Sequence, residues 1–197
     1  MTAAASGLSL TDWVVLGLVA EAPRHGFAAA RELASDAALG QVWTVPRPLV
    51  YRAIDHLRDQ GLVEPVRTEA GAKGPHRTVY RATRNGRTRL ARWLDQPVAH
   101  PREVRTELLV KFMLLARRDR PLAGLARRQL EQFAPMTDGL DRGARDAHGP
   151  ERVVARWRVE SIGAIRRTLE AIVADEVADE VADEVADEFE AAPATRE

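Results

Sequence analysis

In the stretch TVPRPLVYRAIDHLRDQGLV, residues 44–63, Arg47, Tyr51 and Arg52 share a polar helical face with His56 and Arg58, while Val50, Ile54 and Leu57 form an apolar stripe with Ala53 beside them. A guanidinium presents a planar fork of donors that fits a guanine edge or a phosphate, and a phenol hydroxyl donates to a phosphate oxygen. Further on, Lys73, His76 and Arg77 gather at and after a turn-rich loop, EAGAKGP, where cations would track a phosphate backbone. Both groups point to polyanion recognition. Taken singly they are less eloquent: Tyr51 could simply pack at the helix start, and Arg58 with Asp55 or Asp59 is an ordinary surface cluster.

The composition narrows the alternatives. The chain has no cysteine, which excludes disulfide frameworks, thiol catalysis and cysteine-rich zinc sites and makes a reducing cytoplasm the expected compartment. The apolar run at residues 13–20 is too short to span a bilayer, so a soluble protein without membrane contact is expected. The histidines His25, His56, His76, His100 and His148 show no ligand-like pairing with carboxylates, so no metal or cofactor is expected. No nucleophile elbow, phosphate-binding glycine loop or spaced acid pair occurs, which argues against an enzyme. The formal net charge is zero, yet residues 47–92 hold eleven basic and four acidic residues, and residues 170–197 hold eleven acidic residues and one arginine. Basic charge confined to one segment is what counterion release on a polyanion requires.

The polar face needs elements to hold it. Apolar spacing predicts a nearly all-buried helix over 11–20 capped by Ser9 or Thr11, and a second helix over 27–38 ending near Gly40. The opening stretch is the third helix, with Pro46 and Pro48 tolerated only in its first turn and Gly61 as its stop. The period then changes: Leu62, Val63 and Val66, and later Thr78, Val79, Tyr80 and Ala82, predict a two-stranded hairpin with a basic tip. Thr83 caps a fourth helix carrying Leu90, Trp93 and Leu94, and Pro97 with Pro101 marks a boundary. Beyond it, helices are expected over 103–118, 121–140 and from 151 onward, with 138–150 as a loop.

Three helices followed by a hairpin is the order of a winged helix-turn-helix, in which the third helix enters the major groove and the wing lies along phosphates. The blocks LGLVAEAPRHGF (16–27), LVYRAIDHLRDQGLV (49–63) and HRTVYRATRNGRTRL (76–90), in that order, resemble the PadR family of bacterial transcriptional regulators. TELLVKFMLLA (106–116) resembles the start of that family's C-terminal helical dimerisation domain. The resemblance implies a homodimer that binds double-stranded operator DNA, represses promoters, and often releases DNA when a small hydrophobic or aromatic effector binds. Two departures stand out. Pro46-Arg47-Pro48 displaces the usual small polar residue or glycine at the helix start, and Phe27 replaces the tyrosine common after His-Gly.

The expected protein is therefore mainly α. It has a winged helix-turn-helix DNA-binding domain with a two-stranded β wing at residues 8–97, an α-helical C-terminal dimerisation domain at 98–173, and an acidic tail at 174–197. Arg47, Tyr51, Arg52, Lys73, His76 and Arg77 are the candidate DNA-binding residues. Trp13, Phe112 and Trp157 are candidate effector-binding aromatics, in a groove between the two domains, although such residues more often belong to a core. The tail contains VADE four times over; like charges meet at i+4 and oppose the dipole of a helix C-terminus, which predicts fraying past Val181. It is either a solvated extension or a competitor of DNA for the basic domain. A winged fold reused as a protein-interaction module, without specific DNA binding, is the alternative to the whole reading.

Overall fold

The computed structural model of the chain describes residues 7–71 and 74–191, and these fall into two compact units that divide between Arg120 and Pro121. The first unit opens with α1 (Leu10–Glu21), where Ser9 Oγ accepts from the Asp12 amide and the Asp12 carboxylate accepts from the Ser9 amide, a reciprocal cap. Residues 13–19 of α1 are all buried, as a helix without a polar face must be. After the two-residue strand β1 (Arg24–His25), α2 (Gly26–Glu32) is capped by His25, whose Nδ1 accepts from the Ala28 amide at 3.0 Å.

The second helix is shorter than its apolar spacing implies. It stops at Glu32, and a separate short helix, α3 (Ala38–Val42), follows across Ser35 and Asp36, side chains that compete with a helix backbone for hydrogen bonds. Gly40 is part of α3 and not a stop: a Cβ there would lie 1.7 Å from the Ala34 carbonyl oxygen, so the chain folds back on itself more tightly than any other residue allows.

The helix read from residues 44–63 is α4 (Arg47–Asp59). Val50, Ala53, Ile54 and Leu57 are its buried face, and it packs chiefly on α1. It ends as expected at Gly61, in the left-handed region at φ +65°. The Leu62 amide reaches back to the Leu57 carbonyl and the Gly61 amide to that of Arg58, closing the helix terminus. β2 (Val63–Gly71) and β3 (Gly74–Ala82) then form the hairpin, with irregular register at Pro65/Arg67 and Glu69/Gly71. The sheet has three strands and not two, in the order β1-β3-β2, because Arg24 pairs with Tyr80 and His25 with Val79. Pro65 sits on the edge strand, where a missing ladder donor costs least.

α5 (Arg84–Asp95) is capped by Thr83 as expected. The division expected near Pro97 is displaced, because the next segment stays with the first unit. A 3-10 turn at Pro101–Glu103 and a wider π-helical turn at Val104–Leu108 lead into α6 (Leu109–Ala116), replacing the single helix expected over 103–118. The anchor is Lys111, which is buried: its Nζ donates to Glu107 and to the Gln96 carbonyl, each at 2.8 Å, and lies 4.8 Å from the Trp93 ring centre. Trp93 donates to Glu107 and stacks on Trp13 with ring centres 5.0 Å apart. Burial lowers the Lys111 pKa, against the raising effect of Glu107. The folded chain therefore holds that proton less tightly than the unfolded chain, and this group's penalty eases as pH rises towards the ordinary lysine value. Lys111→Met should cost about 2–4 kcal/mol by orphaning Glu107, and adding Glu107→Gln should recover at least half of it; a chemical-denaturation cycle that finds the two losses additive would refute the pairing.

The second unit is a helical hairpin of α7 (Ala123–Asp146) and α8 (Glu151–Ala191) around Leu125, Ala126, Gln129, Phe133, Ile162 and Leu169. The loop expected over 138–150 shrinks to 147–150, since Gly139 and Gly143 are accommodated inside α7. Glu176, the acid of the first VADE repeat, accepts from the amides of Leu122 and Ala123 and so caps the start of α7. The backbone of α8 stays helical through the later repeats to Ala191. Among the described residues no helix is long and apolar enough to cross a membrane, and no cluster of His, Asp and Glu gathers to hold a metal.

Candidate nucleic-acid interface

α4 begins without a side-chain cap, because Pro46 occupies that position and Pro48 the first turn. Proline fits there because first-turn amides have no intrahelical partner in any case, and the exposed start is left to its cations. Arg47 and Arg52 are exposed and have no carboxylate partner among the described residues, whereas Arg58 is held at 3.0 Å by Asp55 and at 3.2 Å by Asp59. Those acids raise the Arg58 pKa, with the Asp59 hydrogen bond the largest cause. The cationic face of α4 thus resolves into a free first half and a neutralised second half. His56 belongs to neither, since its Nδ1 lies 3.2 Å from the Asp12 carboxylate and ties α4 to α1.

Tyr51 is 41% exposed, yet one edge of its ring rests on Gly26, where a Cβ would come within 2.7 Å of Tyr51 Cε1. It does both things expected of it, packing at the helix start and presenting a polar end. On the hairpin, Arg67 pairs with Glu69 and Arg81 with Glu64, each at 2.7 Å. That leaves His76 and Arg77 as exposed groups on β3. Lys73 lies outside the described residues. The structure brings Arg77 and Arg47 together at Phe27, the residue that replaces the tyrosine common after His-Gly: the Phe27 ring centre is 4.8 Å from the Arg47 guanidinium and 5.0 Å from that of Arg77. Arg47 also lies 5.7 Å from the Tyr51 ring centre.

The three aromatic candidates for an effector site are not alike. Trp13 is buried against Trp93 and Phe112 is buried on α6, both inside the first unit, while Trp157 belongs to α8 in the second unit and is 69% exposed.

A three-helix core, a hairpin wing hydrogen-bonded back to the chain before α2, and a free cationic first half on the helix preceding the wing define a winged helix-turn-helix module. Residues 15–92 match the family described as "Transcriptional regulator PadR-like family", and the chain carries a PadR-like domain over that span. Among solved structures it is similar to Bacillus subtilis PadR in complex with operator DNA, at 20% identity over 84% of this chain and 98% of that one, with a TM-score of 0.44. The same protein in complex with p-coumaric acid matches at 20% identity over the same shares, with a TM-score of 0.40. The Vibrio cholerae virulence activator AphA matches at 22% identity over 86% of this chain and 99% of that one, with a TM-score of 0.35. No curated protein matches the chain.

Proposed function

We propose that the chain is a homodimeric transcriptional repressor that reads an inverted-repeat operator. In this reading α4 lies in the major groove, with Arg47, Tyr51 and Arg52 on bases and phosphates, and Lys73, His76 and Arg77 track the backbone from the wing. The observation that carries it is the free first half of α4, where two exposed arginines have no acidic partner among the described residues while every other described arginine of α4 and β2 is paired. An incidental surface helix usually intersperses its charges.

The dimer part is supported by α8, whose start exposes Val153 at 72% and Trp157 at 69%, one helical turn apart. Apolar groups this open on one face suit a second copy. Val153→Asp/Trp157→Asp is expected to weaken self-association by roughly a hundredfold without lowering the melting temperature of the monomer. A dilution series by analytical ultracentrifugation that gives the double variant the dimer dissociation constant of the wild type would remove this surface from consideration. The effector part follows from the family resemblance, and release of labelled DNA by a panel of small aromatic compounds tests it.

The deciding experiment for the whole reading is fluorescence anisotropy on the DNA upstream of the chain's own gene, against scrambled DNA of equal length, at two salt concentrations. Tight, sequence-dependent, salt-weakened binding is expected. Equal weak binding to both DNAs would overturn it in favour of a winged fold reused for protein contacts.

A further inference from the structure

We infer that Phe27 is a positioning residue for DNA binding, its ring holding Arg47 and Arg77 in place before any DNA arrives. The inference rests on the DNA-binding reading above. Three elements converge on this side chain. His25 pairs with Val79 and caps α2, which sets the first turn of α2 beside β3. Gly26 has no side chain, so Tyr51 closes against it and brings the start of α4 to the same place. Phe27, the next residue, then meets one guanidinium from α4 at 4.8 Å and one from β3 at 5.0 Å.

The arrangement has a physical cost that points to its use. Two cations at one ring lie no more than about 10 Å apart and repel, most strongly at low salt, where the screening length exceeds that distance. The acids nearby do not relieve this. Glu69, directly opposite Arg77 on β2, is held by Arg67, Glu32 on α2 is engaged by Arg117 and Arg24, and Asp36, which lines the same cleft as Arg77, forms no ion pair with it. The negative face of the ring is what attracts the two guanidiniums, and it leaves their outward N–H groups open. A phosphate oxygen accepting from them would remove the repulsion and meet side chains that have already lost part of their rotamer freedom. A leucine at this position would fill the space without attracting either cation, and a tyrosine would keep the attraction.

The test uses the full-length protein and a trifluorinated phenylalanine at position 27, which keeps the shape of the ring and weakens its negative face. Affinity for the upstream DNA should fall about five- to tenfold with the melting temperature unchanged, Phe27→Leu should lose at least as much, and Phe27→Tyr should bind like the wild type. In the Arg47→Ala/Arg77→Ala background the fluorinated ring should make no difference. Wild-type affinity in the fluorinated protein, or an equal loss in the arginine-free background, overturns the inference. The arginine side-chain NMR signals of the free protein separate the two levels. If fluorination leaves those of Arg47 and Arg77 unmoved, the ring contact is refuted, whereas a wild type with no preference for its own DNA refutes the DNA-binding reading.

Discussion

Arg47→Ala/Arg52→Ala is expected to weaken operator binding at least a hundredfold while leaving the fold intact. Each arginine is exposed and has no acid partner among the described residues, so its removal costs the folded state little. In the complex each would make either a bidentate base contact, about 1–3 kcal/mol of discrimination, or a phosphate contact that releases counterions. The two kinds of contact are separable. Loss of phosphate contacts lowers the slope of log affinity against log salt by about one for each arginine and affects scrambled DNA equally. Loss of base contacts leaves the slope and collapses the preference for the operator. Arg58→Ala is the control: Asp55 and Asp59 already neutralise it, and its loss should change affinity less than twofold. Anisotropy titrations in which Arg58→Ala weakens binding as much as the double variant would show that only total charge matters, and the assignment of α4 would fall.

That contrast between Arg52 and Arg58 was half legible in the sequence, where the spacing of Asp55 and Asp59 already marked Arg58 as a paired surface group. What periodicity can show is which side of a helix is buried, and it placed Val50, Ala53, Ile54 and Leu57 inward and ended α4 at Gly61 correctly. Contacts between elements distant in the chain leave no local period. β1 is two residues long and exists only because β3 lies beside it, so the third strand could not be anticipated from Arg24 and His25 themselves. The break at Ser35 and Asp36 was written in side chains that compete for backbone hydrogen bonds, but the regular alanines and leucines around them masked it. The reverse holds at the end of α7, where Gly139 and Gly143 resemble a loop and are instead carried inside a helix by its packing on α8. The role of Phe27 lies beyond any local rule, since it depends on an arginine twenty residues away on α4 and another on β3. The sequence offered one hint: an aromatic residue directly after His-Gly, at the start of a helix that has only a short buried face.

Two glycine-to-alanine substitutions should move stability in opposite directions, and the larger effect is at Gly86. On the first turn of α5, a Cβ at Gly86 would lie 2.1 Å from the Leu62 carbonyl oxygen and 3.3 Å from Leu16 Cδ1. The carbonyl cannot swing aside, because it already accepts from the Thr83 amide at 2.9 Å and from the Thr83 hydroxyl at 3.3 Å, and Leu62 is fully buried. Relief must come from moving α5 away from the base of the wing, which opens the core between α1 and α5. Gly86→Ala should cost about 3 kcal/mol or more, a drop in melting temperature on the order of 10–20 °C. The displaced wing base should also weaken operator binding below the melting range. At Gly139, inside α7, a Cβ would meet nothing within 4 Å. There the methyl group only restricts the unfolded chain and favours the helix, so Gly139→Ala should stabilise by about 0.5–1 kcal/mol. Calorimetry on the two variants decides the point. A Gly86→Ala protein that melts with the wild type would mean that the wing base is not clamped against α5, and with it would go the rigid placement of β3 that the DNA-binding surface requires.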